Sequence, residues 1–364
     1  MPHIKKLTVP FTRDPFVNTP LIKAGIDPET NEERFFISTW NANVGCLSAM
    51  VTPSGKERIY RYEKGEGISG CGAYSAVLTD NDTMWIASDL AWVMRLTLST
   101  GEYDFYKTGA RSGLVFSGMQ YDEATHKILF FANAYPCLSG VSFDIESKKT
   151  VHIYDHFTKS TLANGSFANG DGTYTMRFHT ERSCLYKWNP KEETLTLIRD
   201  IDEKTWLVKS ISDSDHNTYV PLEGWISPDG NMVDGPKPEQ EMMVWFGKTL
   251  NKAYGVTDAG DGADVYEWNF ADGKVKSLCH VANATVYDFA LTKNEEIISV
   301  TTFGEFYKFD KNGTLLLSKF LESDSPGIAD CMESISSSLS PRFKQEIICS
   351  MSGCILIGFL SISI

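Results

Sequence analysis

The chain has 364 residues, 42 % of them apolar, with 47 acidic against 34 basic side chains and a net charge of −13. That balance weighs against binding nucleic acid or an anionic membrane by counterion release, which needs a basic patch. No basic run beyond Lys5-Lys6 and Lys148-Lys149 stands out. The eight cysteines are scattered and form no CxxC pair, so neither a zinc site nor a disulfide framework is indicated. Scattered, core-like cysteines point to a reducing compartment.

Residues 1–20 read as an irregular arm with no apolar stretch long enough for a secretory signal. The expected location is therefore the cytoplasm. From residue 21 onward short strands follow one another, separated by turn residues. Leu21–Ile26 and Arg34–Trp40 are inner strands of a first unit, and Glu57–Tyr62 is its outer strand. Further units are predicted over about 71–107, 114–155, 161–199, 205–233, 241–279 and 284–320, the fifth being the shortest. The fourth is the clearest. Tyr174–His179 alternates apolar and polar, the period of a half-buried strand. Asn169-Gly170-Asp171-Gly172 before it is turn chemistry, glycine supplying positive φ and Asn/Asp bonding back to the backbone.

A large apolar residue followed by a small polar turn-former closes the third strand of each unit. The pairs are Val51-Thr52, Leu98-Ser99, Phe143-Asp144, Trp188-Asn189, Ile226-Ser227, Trp268-Asn269 and Phe309-Asp310. Their second members lie 47, 45, 45, 38, 42 and 41 residues apart. Four strands per unit at that spacing predict an all-β fold, a seven-bladed β-propeller of four-stranded antiparallel blades. The propeller spans 21–320, with 1–20 as an N-terminal arm and 321–364 as an atypical tail. Ile347–Ile364 is eighteen residues without charge, which just reaches the length of a membrane span. Its alternating Leu-Ser-Ile-Ser-Ile equally suits a packed strand. A C-terminal anchor is the one membrane contact left open.

Propeller ligands sit over one face, built by the loops joining strand two to strand three and each blade to the next. Those loops carry Trp40 and Asn43, Trp92, Tyr135, His179 with Glu181 and Arg182, Trp225, and Arg111 between blades. Aromatic faces beside amides and charges suit a polar small ligand such as a sugar. Arg177 and His179 share a strand face, and a histidine flanked by arginines is held neutral, as a general base requires. His179 as base, Tyr135 as acid and Arg177 and Arg182 as carboxylate clamps are the parts of a uronate β-elimination site. Trp40, Trp92 and Trp225 would be stacking platforms, and Asn43 and Arg111 further ligand-binding groups. An exposed, ion-paired strand end is the plainer alternative for Arg177–Arg182. Asp258, Asp261 and Asp264 lie three apart in a Gly-rich loop without the EF-hand spacing. The better reading is an acidic turn, so no metal ligand is assigned; no cofactor is expected, with a divalent metal left open.

The repeat resembles the broad group of non-WD β-propellers, the lactonase-like, NHL-like and polysaccharide-lyase-type propellers. The Gly-His and Trp-Asp pairs of WD40 repeats are missing. The likeness covers about 21–320 and is one of fold, which does not imply function. The expected function is binding or processing of a small polar ligand on the loop face, by a carbohydrate- or uronate-active lyase or hydrolase. Two alternatives stand beside it: a non-catalytic protein-interaction scaffold, and a metal-dependent lactonase-like hydrolase. No nucleic-acid partner is expected, and the chain is read as a monomer.

Overall fold

The structure is a computed structural model that describes residues 9–10, 21–38, 46–62, 73–88, 92–110, 114–115, 119–134, 137–158, 160–180, 183–201, 209–301 and 304–323. The chain divides into two compact units, residues 10–321 and residues 1–9 with 322–364. In the second, β1 (Val9–Pro10) and β30 (Glu322–Ser323) form a two-stranded sheet. The first unit is a seven-bladed β-propeller of four-stranded antiparallel blades, with no helix among the described residues.

Each blade is a contiguous meander. Blade one is β2 (Ile22–Ile26), β3 (Glu33–Ser38), β4 (Cys46–Val51) and β5 (Glu57–Tyr62). Blade two is β6 (Ala73–Leu78), β7 (Thr83–Ser88), β8 (Trp92–Thr97) and β9 (Tyr103–Lys107). In blade three the inner strand is split into β10 (Leu114–Val115) and β11 (Gln120–Asp122), both paired to β12 (Lys127–Ala134), ahead of β13 (Cys137–Asp144) and β14 (Lys149–Thr158). Blade four is β15 (Ser160–Ala168), β16 (Tyr174–Thr180), β17 (Ser183–Asn189) and β18 (Thr194–Ile201). Blade five is the slightest: β19 (Thr218–Val220), β20 (Gly224–Ile226) and β21 (Met232–Val233). Its inner strand is reduced to a bridge from Ser212 to Thr218 and a Tyr219 N–H···O Ile211 bond of 3.0 Å. Blade six is β22 (Val244–Lys248), β23 (Lys252–Asp258), β24 (Gly262–Asn269) and β25 (Val275–Ala282). Blade seven is β26 (Phe289–Leu291), β27 (Ile297–Val300), β28 (Glu305–Phe309) and β29 (Leu315–Phe320). The apolar-then-turn pairs of the sequence fall at the ends of the third strands. There the backbone must stop pairing and reverse. Asx turns do this at many of the turns: the Asp27, Asp80, Asp171, Asp213, Asn269 and Asp310 side chains each accept a backbone N–H two residues on, at 2.8–3.0 Å.

Strand alternation explains the packing. Successive side chains point to opposite sheet faces, and in a ring both faces of a blade are covered. Phe36, Met50 and Tyr60 of blade one pack on Ala76, Met84, Ile86 and Leu98 of blade two. Phe35, Ile37, Ala49 and Val51 pack the other way, on Ala290, Ile298, Val300 and Phe306 of blade seven. In the run Ile128-Leu129-Phe130-Phe131 the even positions face blade two and the odd ones blade four. Seven buried clusters result among the described residues, one for each seam. Among the described residues no blade takes a strand from the other end of the chain. The seam of blades seven and one is closed by the apolar cluster, a backbone Leu21 N–H···O Tyr287 bond of 3.2 Å, and Lys319 Nζ on Glu57 Oε2 and Gly55 O at 2.9 Å each.

Candidate functional site

The connections between second and third strands and from blade to blade share one end of the propeller, the loop face. Trp40, Asn43, Arg111, Tyr135 and Arg182 lie outside the described residues. His179 is placed by its backbone alone, opposite Leu162 and Ser183 near the end of β16. The remaining predicted residues have definite surroundings.

Trp92 opens β8 half-buried, with Lys107 Nζ 5.7 Å from its ring centroid. Trp225 is 2 % exposed. Its ring lies 5.4 Å from that of Tyr219, and Nε1 donates to Pro236 O at 2.8 Å. The ring is therefore part of the wall between blades five and six and presents no free face for stacking. Arg177 is fully buried, on the side of β16 turned to blade five, beside Leu185. Burial pushes its guanidinium down to about 10, while the Glu223 carboxylate holds it up. Period two places Arg177 correctly on its strand; what it cannot reveal is that this strand face is a seam rather than an open surface.

The described part of the loop face centres on the tight turn Pro221–Glu223 between β19 and β20. Glu223 N–H bonds Val220 O at 3.1 Å. Leu222 sits at φ 69°, a conformation branched side chains avoid, and is 67 % exposed. Gly224 follows at φ 113°, where a side chain would be strained. On one flank Glu223 lies 3.9 Å from Arg199 Nη2 and acts on Arg177. On the other, Tyr219 Oη donates to Glu241 Oε1 at 2.5 Å. Glu241 Oε2 is buried and has no hydrogen-bond partner among the described residues. Burial pushes the Glu241 carboxyl up, against the hydrogen bonds of Tyr219 and the Leu222 N–H and the charge of Lys237. Burial and Glu241 together push the Tyr219 hydroxyl up. The turn thus has a carboxyl raised by burial on one side and a carboxylate–guanidinium group on the other. Perturbed titratable groups gathered at one spot are a mark of functional sites.

The sequence reading missed Glu241, Tyr219 and Arg199. Glu241 follows the connector that contains Pro236 and Pro238, and nothing in its spacing sets it apart. On blade six, His280 Nδ1 lies 2.8 Å from Asp264 Oδ1 and Nε2 lies 3.6 Å from Asp261 Oδ1. The acidic loop is tied by an imidazole. Among the described residues no group of three or more His, Cys, Asp or Glu is arranged to hold a metal ion. No helix among them is long and apolar enough to cross a membrane, and residues 347–364 lie outside them.

No family model and no curated protein matches the chain. Solved structures do. The chain is similar to a candidate 6-phosphogluconolactonase from Bacteroides fragilis, at 9 % identity and a TM-score of 0.53 over 81 % of this chain and 97 % of that one. It is similar to U3-55K at 9 % identity and a TM-score of 0.51, over 78 % and 88 %. At such identities the likeness is one of fold, the β-propeller.

Proposed function

We propose that this propeller binds and processes a small polar ligand of the carbohydrate class on its loop face, in the cytoplasm. The observation that supports the reading is the blade-five turn, where burial raises the Glu241 carboxyl on one flank and Glu223 acts on the buried Arg177 guanidinium on the other. A carboxyl raised in this way is suited to giving a proton to a leaving oxygen. His179 and Tyr135 remain the base and acid of the reading, Arg182 its carboxylate clamp, and Trp40, Asn43, Trp92 and Arg111 its further ligand-binding groups. Arg177 and Trp225 act from behind, as supports. The cytoplasmic placement is supported by the free thiols of Cys184 and Cys279.

The deciding experiment is mass spectrometry of products from uronate-containing and neutral oligosaccharides, with the wild type and His179→Ala. Fragments summing to the substrate mass mean elimination; fragments heavier by one water mean hydrolysis. Loss of either in a folded His179→Ala protein supports the site. No cleavage of any substrate would overturn the enzymatic reading in favour of the interaction scaffold.

A further inference from the structure

The face opposite the loops, made by the strand one–two and three–four turns, holds a cleft of ≈ 480 Å³ at the seam of blades one and two. Ligand sites run from roughly 300 to 1,000 Å³. Its floor is apolar, formed by Met50, Tyr60 and Leu98. Its walls are charged, and the charges are not matched.

Four carboxylates line the cleft, and each faces a donor or a cation other than the two arginines. Asp27 Oδ1 and Glu29 Oε2 both bind Lys56 Nζ at 2.9 Å. Asp82 takes the Ser99 N–H at 2.7 Å and the Ser99 hydroxyl at 2.6 Å. Glu57 Oε2 faces Lys319 of blade seven. The guanidiniums differ. Arg34 is 5 % exposed. Its Nε donates to Ala24 O at 3.1 Å and its Nη2 to Asn81 O at 2.6 Å, both neutral oxygens. Asn81 is fixed in turn, its amide pairing with the N–H and C=O of Ile26 at 3.0 and 3.1 Å. Arg34 forms no ion pair, and its Nη1 no hydrogen bond, among the described residues. Arg58 is exposed and lies over the Tyr60 ring, 5.5 Å from its centroid. It too has no carboxylate partner there. Stacking orients the guanidinium plane while leaving its N–H donors free. Both charges act on the Tyr60 hydroxyl, as the Asp82 and Asp27 carboxylates do more weakly; burial pushes that hydroxyl up to about 12 against the two guanidiniums.

A charge buried without a counter-charge is costly, and such charges are normally paired. Here the pairing acid is missing although four carboxylates lie in the same cleft, each held elsewhere. We propose that the cleft is a binding site for the oxyanion of a small ligand, a phosphate or carboxylate group, received by Arg34 and Arg58. Planar guanidiniums suit such groups because two N–H donors match two oxygens. The apolar floor would carry the body of the ligand. This site stands apart from the loop face and does not depend on its chemistry.

The test is a thermal melt and a calorimetric titration of the full chain at fixed ionic strength, with inorganic phosphate, acetate, glucose and a chloride reference. Phosphate should raise the melting temperature saturably, and glucose should not. Acetate acting like phosphate assigns carboxylates as well; phosphate alone narrows the ligand to phosphate esters. Arg58→Ala, on the surface, should weaken the apparent affinity about ten-fold or more, as expected for a charged hydrogen-bonding pair worth roughly 1.5–3 kcal/mol. Arg58→Lys should weaken it less, and Lys274→Ala, an exposed cation of blade six paired with Asp272, should leave it intact. Anion effects no larger than those of chloride, or the same in Arg58→Ala as in the wild type, would overturn the proposal.

Discussion

The seam between blades seven and one offers the sharpest test of how the ring is held. Phe306 of β28 is fully buried in the cluster that joins the two blades, together with Phe35 of β3. Phe306→Ala removes most of a buried ring and leaves a cavity, a change that costs about 3–5 kcal/mol. The expected readout is a lower denaturant midpoint with unchanged m-value. A matched substitution, Phe130→Ala in the seam of blades two and three, should cost a similar amount. The two should differ in where the protein opens. Hydrogen exchange should rise first in β4 and β28 for Phe306→Ala, and in β7 and β12 for Phe130→Ala. The double substitution Phe35→Ala/Phe306→Ala should deviate from additivity by roughly 0.5–3 kcal/mol, whereas Phe130→Ala/Phe306→Ala should add. A cost below about 1 kcal/mol for Phe306→Ala, or additivity with Phe35→Ala, would refute closure by packing.

Two further outcomes follow from local geometry. Gly170 sits at φ 79°, and a Cβ there would lie 2.3 Å from His216 Nε2. His216 is exposed and can swing aside, so Gly170→Ala should cost about 1–2 kcal/mol through the left-handed backbone; a cost that vanishes in a His216→Ala background would show a clash instead. Burial raises the Asp27 pKa, but hydrogen bonds from Lys56, Thr30 and the Glu29 N–H outweigh it and bring it to about 2. Its stabilising effect is thus complete above the unfolded value of about 3.9 and is lost as pH falls through the folded one. Denaturant midpoints measured from pH 5 to pH 2 should fall less steeply for Asp27→Asn than for the wild type, and equal slopes would count against the Asp27–Lys56 pair.

Much of the fold was legible because propeller blades repeat local chemistry. Trp188-Asn189 and Phe309-Asp310 mark the same event, a buried third strand running out into an Asx turn. The seam contacts were not legible, since they join residues far apart in the chain. Arg34 and Asn81 are separated by 47 positions, and Gly55 and Lys319 by 264. The site reading failed to distinguish surface from seam for a related reason. Alternation tells which residues share a face, but in a ring both faces of a blade are covered, so Arg177 and Trp225 read like loop-face groups while packing between blades. Glu241 became visible only through its neighbours, because a carboxyl raised by burial against the Tyr219 hydrogen bond is a property of its surroundings, not of its place in the sequence.

The self-contained blades have a consequence for how the chain is made and altered. Among the described residues the strand pairings of each blade lie within one continuous stretch, so each sheet can assemble as soon as its segment leaves the ribosome, with little loop-closure entropy to overcome. Only the last docking, blade seven against blade one, must await the end of the repeat. A chain built in this way can gain or lose a blade by duplicating or deleting one continuous segment, with no strand to re-thread.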